Sequence, residues 1–388
     1  MRIRRRPPGS LIAAVAAVGL GAGTSLAGLC GPFADTAADA FCPFVLEIFT
    51  LGITTGTTPT TYDPSGNVTR LQMAAFLSRT VDTALRRSSP RAIADRFWTP
   101  VEGNAGGTVV GMNPVFPACD GADVWVPNAV SGTVSRVRGS DGKLLETWTG
   151  APSAAAAVVA MDGVFVLSAG NPGTLNRIRP YQSAGAVTIV ASVGGAPVGV
   201  AFDGSRFWTA DTFGSVSIVV PGPSLPWTVT TVTTGFSYPV AALYDGANVW
   251  VSDQGTGTLL RLDSAGAILQ TVTIGPSPAF PAFDGTNIWV PTYGGATTKV
   301  VRAGSGAVLA TLTSDGWPLG AAFDGQRMIV LNHGANASPP FSVSFWNAAA
   351  LTPLGTSLLD SISRPYGACS DGLNFWVALR DEALLLKF

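Results

Sequence analysis

The chain has 388 residues, of which 12% are charged, with a net charge of −1. So sparse and balanced a charge, with no basic patch, excludes nucleic acid as an expected partner. A single histidine, His333, excludes a histidine-rich metal site.

The first six residues, MRIRRR, are basic, and Leu11 to Leu29 is apolar and rich in Ala and Gly. Ser25-Leu26-Ala27 places small residues at −3 and −1 of a cut, so 1–27 reads as a signal peptide cleaved near Ala27. The alternatives are a retained anchor and a lipoprotein signal, the latter opposed by Leu29 before Cys30. Beyond 27 no apolar run is long enough to span a bilayer. The expected location is exported: cell surface, periplasmic or extracellular. Export permits disulfides, and Cys30 and Cys42 are close enough in sequence to pair.

Residues 28–92 read as a small helical module. Two amphipathic stretches, Ala37–Leu51 and Thr69–Arg86, flank a loop rich in Thr, Pro and Gly. Thr69 and Gln72 have the spacing of a reciprocal N-terminal cap. Phe33-Ala34-Asp35, Leu51-Gly52-Ile53-Thr54-Thr55-Gly56, Tyr62-Asp63-Pro64 and Val68-Thr69-Arg70 follow in order. This series resembles one S-layer homology motif, a family whose tandem motifs bind cell-wall polysaccharide. The sequence departs from it in having Gln72 where the family has an acid, and one motif where wall binding generally uses three. The resemblance makes Arg70 the wall-binding candidate, as a charge-assisted donor to an anionic polymer; bracing of the hairpin is the competing reading, and self-association of the module a third.

After a linker at 93–104, seven Asp-Gly pairs recur, beginning at Asp120, Asp162, Asp203, Asp245, Asp284, Asp324 and Asp371. Their spacings are 42, 41, 42, 39, 40 and 47 residues, the period of a propeller of four-stranded blades. Each repeat reads as four short strands, labelled A to D from the inside out: A runs into the Asp-Gly, B carries a Trp, C follows a Gly-rich turn and D ends the blade. The expected fold is therefore mainly β: a seven-bladed propeller over 105–388 behind a small helical module. The seventh repeat ends at Phe388 without strand D, and Gly107–Val110 can supply it, closing the ring. Cys119 and Cys369 lie one and two residues before their Asp, so they face opposite ways from neighbouring blades and can form a disulfide across the closure. Two buried thiols are the alternative. The segments 123–148 and 248–272 resemble the YVTN-type repeat of NHL-like and lactonase-like propellers, a superfamily of binding scaffolds, lyases and hydrolases.

Trp125, Trp208, Trp250, Trp289 and Trp376 each fall five residues after their Asp, with Ile329 in that place in the sixth repeat. That regularity points to packing between blades, with an aromatic sugar platform as the alternative. A site is expected instead where repeats differ, on the D-to-A and B-to-C connections around the channel. The ligand-binding candidates are Asn128, Asp211, Tyr238, Asp253, Tyr293, Trp317, His333, Tyr366 and Arg380. Aromatics beside polar groups suit a carbohydrate, peptide or protein ligand. No cofactor is expected; Ca²⁺ held at the channel mouth by Asp and carbonyl oxygens is the alternative. The enzyme alternative is a propeller lyase or hydrolase using His333; the resemblance to lyase-type propellers implies His333 as general base with Asp253 or Asp211 near a divalent ion. The preferred reading is an envelope-associated binding or scaffold protein; a structural surface-assembly protein is a further alternative.

Overall fold

The computed structural model describes residues 32–36, 41–50, 53–84, 107–334, 338–360 and 364–388. The chain divides into two compact units, Met1–Ser89 and Pro90–Phe388. The expected signal peptide, Cys30 and the expected linker at 93–104 lie outside the described residues.

In the first unit, helix α1 spans Cys42–Thr50 and helix α2 spans Arg70–Ala84, each lying within one of the amphipathic patterns. Phe33 is fully buried between Phe49, at 5.1 Å, and Tyr62, at 5.7 Å. Asp35 accepts hydrogen bonds from the backbone N–H groups of Tyr62 and Asp63, which tie the entry segment to the long loop. Those bonds hold its carboxyl below the usual carboxylate range. Gly56 has φ +78°, and a Cβ there would collide with the Phe33 ring and the Thr61 carbonyl, so only Gly fits. Thr69 and Gln72 cap α2 reciprocally: Gln72 N–H donates to Thr69 Oγ1 at 3.2 Å and Thr69 N–H to Gln72 Oε1 at 2.8 Å. Gln therefore does in neutral form what an acid would do at that position. Cys42 is disulfide-bonded.

The second unit holds seven four-stranded antiparallel sheets. Blades 1 to 6 span 118–149, 154–193, 197–232, 239–273, 282–313 and 318–358. Blade 7 comprises Pro365–Ser370, Phe375–Leu379 and Leu384–Lys387, and its outer strand is Thr108–Val109. Thr108 faces Leu385 and Val109 faces Leu384, so strands from both ends of the unit share one blade. A disulfide joins Cys119 of blade 1 to Cys369 of blade 7, with Cα atoms 5.7 Å apart and 250 residues between them.

The Asp-Gly turns do more than reverse the chain. In six blades Oδ1 of the Asp accepts the N–H groups two and three residues on, as at Asp245 with Ala247 and Asn248. In five of these Oδ2 takes the indole N–H of the Trp five residues on, at 2.7–2.9 Å. At Asp203 burial opposes ionisation, but the Trp208 indole and the turn N–H groups outweigh it and bring the carboxyl down to about 2. Blade 6 has Ile329 in the Trp place, and Arg327 Nε bonds Asp324 Oδ2 at 2.8 Å instead. Each Trp is almost wholly buried and packs on the following blade: Trp125 on Val164 and Val166, Trp250 on Ile288 and Val290, Trp376 on Val124 and Val126. These side chains are core, and no sugar can reach them as a platform.

Candidate functional site

Strand B links the Asp-Gly end of each blade to the channel mouth, and its last residue and the one that follows it are used in opposite ways. The strand's last residue, eight after the Asp in six blades and six after it in blade 2, turns into the blade. Asn128 donates to Thr133 Oγ1 and Ser135 Oγ, and Asn332 to Ser342 and Ser344. Asp211 accepts from Thr209, Ser215 and Ser217. Asp253 accepts from the N–H groups of Ser237, Tyr238 and Thr256. Asn128, Asp211 and Asp253 are fully buried braces, so the structure places these three ligand-binding candidates behind the mouth rather than on it. Burial pushes the Asp211 carboxyl up to about 6 against the pull of its three hydroxyl donors.

The next residue enters the channel. Ala129, Ala169, Thr212, Gln254, Tyr293, His333 and Arg380 form a ring with one member per blade, and all seven line a cavity of about 420 Å³. Each ring residue's N–H bonds a carbonyl of the D-to-A connection: Asn113, Ser153, Ala196, Tyr238, Ser277, Trp317 and Arg364 in blade order. The frame is thus hydrogen-bonded backbone, and only the side chains vary. Pro114, Pro197, Pro239, Pro278, Pro318 and Pro365 open the inner strands opposite the ends of strands B, where no N–H is needed.

The ring is uneven. Blades 1 and 2 present Ala129, Ala154, Ala155 and Ala169. Blades 5 to 7 present Tyr293, His333, Tyr366, Arg364 and Arg380. Tyr293 meets Trp317 edge-on at 5.1 Å and His333 at 5.6 Å. Trp317 thus supports the cavity wall, while Tyr238, 47% exposed, stands at its rim. Burial raises the Tyr293 hydroxyl above its usual range. Arg380 lies 4.4 Å over the Tyr366 ring and donates from Nε to Asn113 Oδ1 at 2.9 Å. Arg364 is held by Asp381 through two bonds of 2.8 Å.

His333 is buried, and its Nε2 lies 2.7 Å from the Pro365 carbonyl. A carbonyl only accepts, so Nε2 carries the proton and donates, leaving Nδ1 as a lone pair without a protein partner among the described residues. Burial pushes the imidazole down to about 4, with Arg364 and Arg380 acting in the same direction and the Pro365 bond opposing. It is neutral at pH 7. Among the described residues the cavity lining holds no carboxylate, and nowhere do three or more His, Cys, Asp or Glu gather as a metal would need. Asp211 and Asp253, the carboxylates named for Ca²⁺ or for the divalent ion of the lyase alternative, are hydrogen-bonded inside their blades and do not line the cavity.

The floor was not anticipated. Phe116 and Phe280, from blades 1 and 5, stack at 3.7 Å, and Tyr366 lies 5.2 Å from Phe116. Each Phe precedes a proline, Pro117 or Pro281, which removes an N–H from the inner strand. The two phenylalanines pair instead with the next blade, Phe116 beside Ala156 and Phe280 beside Gly320. Gly367 makes room, since a Cβ there would sit 2.7 Å from Phe116 Cα. The signal was in the sequence: four residues before the Asp, two repeats have Phe-Pro where others have Gly199, Ala241, Gly320 or Gly367.

In the helical unit a second groove of about 530 Å³ is lined by Thr55, Thr57, Tyr62, Asn67, Gln72 and neighbours. Arg70, the first residue of α2, is exposed and is not among the residues lining it.

Comparison with known proteins separates the units. Residues 32–74 match the S-layer homology domain. No curated protein matches the chain. Among solved structures, a streptogramin B lyase is similar with TM-score 0.59 and 14% identity, over 74% of this chain and 95% of that one. A catalytically inactive histidine-to-alanine variant of virginiamycin B lyase from Staphylococcus aureus, solved with quinupristin, has TM-score 0.59 and 15% identity over 74% and 96%. Hydrazine synthase of Kuenenia stuttgartiensis has TM-score 0.60 and 14% identity over 74% and 98%. Such identities establish the fold alone. Among the described residues no helix is long and apolar enough to cross a membrane. S-layer homology domains bind cell-wall polymers, which implies association with the cell envelope. The chain thus joins an S-layer homology domain at 32–74 to a seven-bladed β-propeller that resembles virginiamycin B lyase.

Proposed function

We propose that this is an exported envelope protein whose helical module associates with the wall and whose propeller binds a ligand at the channel mouth. The observation that carries the reading is the uneven ring: a rigid backbone frame repeated seven times, with Tyr293, His333 and Arg380, beside Tyr366, contributed by blades 5 to 7. A cavity of about 420 Å³ with aromatic walls and a few polar groups has the make-up of a ligand pocket. Residues 1–27 act as the export signal, and Arg70 contributes to wall binding.

The test uses the full chain on isolated cell walls and on a glycan and peptide array. Arg70→Ala is expected to reduce sedimentation with walls and leave array binding intact. Tyr366→Ala is expected to do the reverse. Array binding that survives Tyr366→Ala and Tyr293→Ala would remove the channel mouth from the reading.

A second reading, a lyase, is favoured by one observation: His333 lines the cavity with an unprotonated Nδ1 that has no partner among the described residues. A histidine is also the residue replaced in the inactive virginiamycin B lyase variant. On this reading Nδ1 removes a proton from a substrate seated on the aromatic side. Turnover of quinupristin, the compound bound in that variant's structure, that is abolished by His333→Ala would establish it; unchanged turnover in the His333→Ala protein would end it.

A further inference from the structure

The charges at the mouth do not balance. Two arginines line the cavity, Arg364 and Arg380, and no carboxylate does. Arg364 is matched by Asp381. Arg380 spends only Nε, on the neutral Asn113 amide, and stacks one face on Tyr366. Its two Nη groups have no protein partner among the described residues. One uncompensated guanidinium therefore edges a half-enclosed cavity in a chain of net charge −1.

We propose that the channel mouth is selective for an organic carboxylate with an apolar or aromatic body, received by Arg380. The inference rests on the binding reading and names its ligand class. The planar fork of a guanidinium matches a carboxylate through two parallel bonds. A single free positive charge suits a monoanion; a dianionic phosphate would be left half-neutralised. The Tyr366 ring beneath Arg380 fixes the plane of the fork, so little order is lost when the ligand arrives. Across the cavity, Ala154, Ala155, Ala169 and Val198 offer a smooth apolar wall, and the Phe116–Phe280 stack offers a flat floor. His333 Nδ1 adds one acceptor for a donor on the ligand body.

The test is calorimetric titration of the full chain with 4-phenylbutyrate, its amide and the corresponding amine, which share one body and differ in charge. The acid is expected to bind about ten- to a hundredfold more tightly than the amide, the worth of a charge-assisted bond, and the amine more weakly still. Arg380→Gln should bring the acid-to-amide ratio close to one, Arg380→Lys should retain part of it, and Arg138→Gln, an exposed pair with Asp141, should leave it unchanged. Equal binding of acid and amide by the wild type overturns the proposal whether or not Arg380→Gln folds. So does failure of every acid to bind, or a ratio unaffected by Arg380→Gln in a variant with the wild-type melting temperature. A second arm compares a short peptide ending in Phe as free acid and as amide. Binding of the peptide acid alone, lost in Arg380→Gln, supports the proposal with a chain terminus as the source of the carboxylate. Binding by 4-phenylbutyrate alone supports it with a free acid. Array binding that depends on Tyr366 but shows no preference for acids would overturn this inference and leave the binding reading standing.

Discussion

The two ends of strand B obey opposite rules. At the Asp-Gly end six blades repeat one arrangement, an Asp that holds its own turn, and in five it also holds the indole of a Trp buried against the next blade. At the channel end the backbone bonds are repeated just as faithfully, but the side chains run from Ala129 to Arg380. Repetition of side chains marks the places where neighbouring blades must fit; repetition of backbone alone marks a frame on which a site can be varied. Substitutions at the latched end should therefore cost stability, and those at the mouth should cost binding.

The largest effect is expected from Trp250→Ala, which empties a fully buried site and leaves Asp245 Oδ2 without its donor. The loss should be about 4 kcal/mol, read from the denaturant midpoint. A loss below about 1 kcal/mol would show that the latch is not a stabilising unit. Next comes Arg327→Leu in blade 6, which strands a buried Asp324 carboxylate and should cost about 3 kcal/mol. Rewriting the blade as Arg327→Asn with Ile329→Trp, the residues of blades 4, 5 and 7, should recover at least half of that. No recovery would mean that the Arg is not a substitute for the indole.

Acidity sharpens the contrast between the mouth and the blade interior behind it. The folded protein keeps His333 neutral down to about 4, whereas the unfolded chain protonates it near 6.5. Stability from this group is thus lost as pH falls through that window, by about 3 kcal/mol. Asp211 works the other way: the folded state holds its proton up to about 6 and the unfolded state only to 3.8, so lowering the pH restores about 3 kcal/mol. From these two groups the wild type should change little between pH 7 and pH 4. Asp211→Asn should unmask the histidine and lose about 3 kcal/mol over the same range. A flat profile in that variant would contradict the assignment of a neutral His333. The smallest stability effect belongs to Tyr238→Ala at the exposed rim, expected within about 0.5 kcal/mol of wild type, yet with weakened ligand binding. A large loss of stability there would put Tyr238 with the frame and not with the site.

The period near 40, the Asp-Gly turns and the Trp spacing announced seven blades because each is set by local chemistry: a turn needs its Asp and Gly, and a strand alternates its faces. The outer strand of the seventh blade could likewise be read at Gly107–Val110, and Thr108–Val109 supplies it. The site was only half legible. Tyr293, His333 and Arg380 were singled out, but so were Asn128, Asp211 and Asp253, which stand one position earlier in the repeat and point the other way. In an alternating strand one residue changes the face, and the sequence alone did not show which of two adjacent polar positions entered the channel.

By itself, then, the sequence determined the blade count, the turns, the Trp seams and the S-layer homology module, all encoded within a few residues or by a repeated spacing. Only the tertiary structure decided what meets across the axis. Phe116 and Phe280 stack, the Arg364 charge is cancelled while that of Arg380 is not, and His333 is held neutral against Pro365. Except for the Arg364–Asp381 pair within blade 7, those contacts join residues from different blades, brought together by closure of the ring, and no local pattern records such a distance.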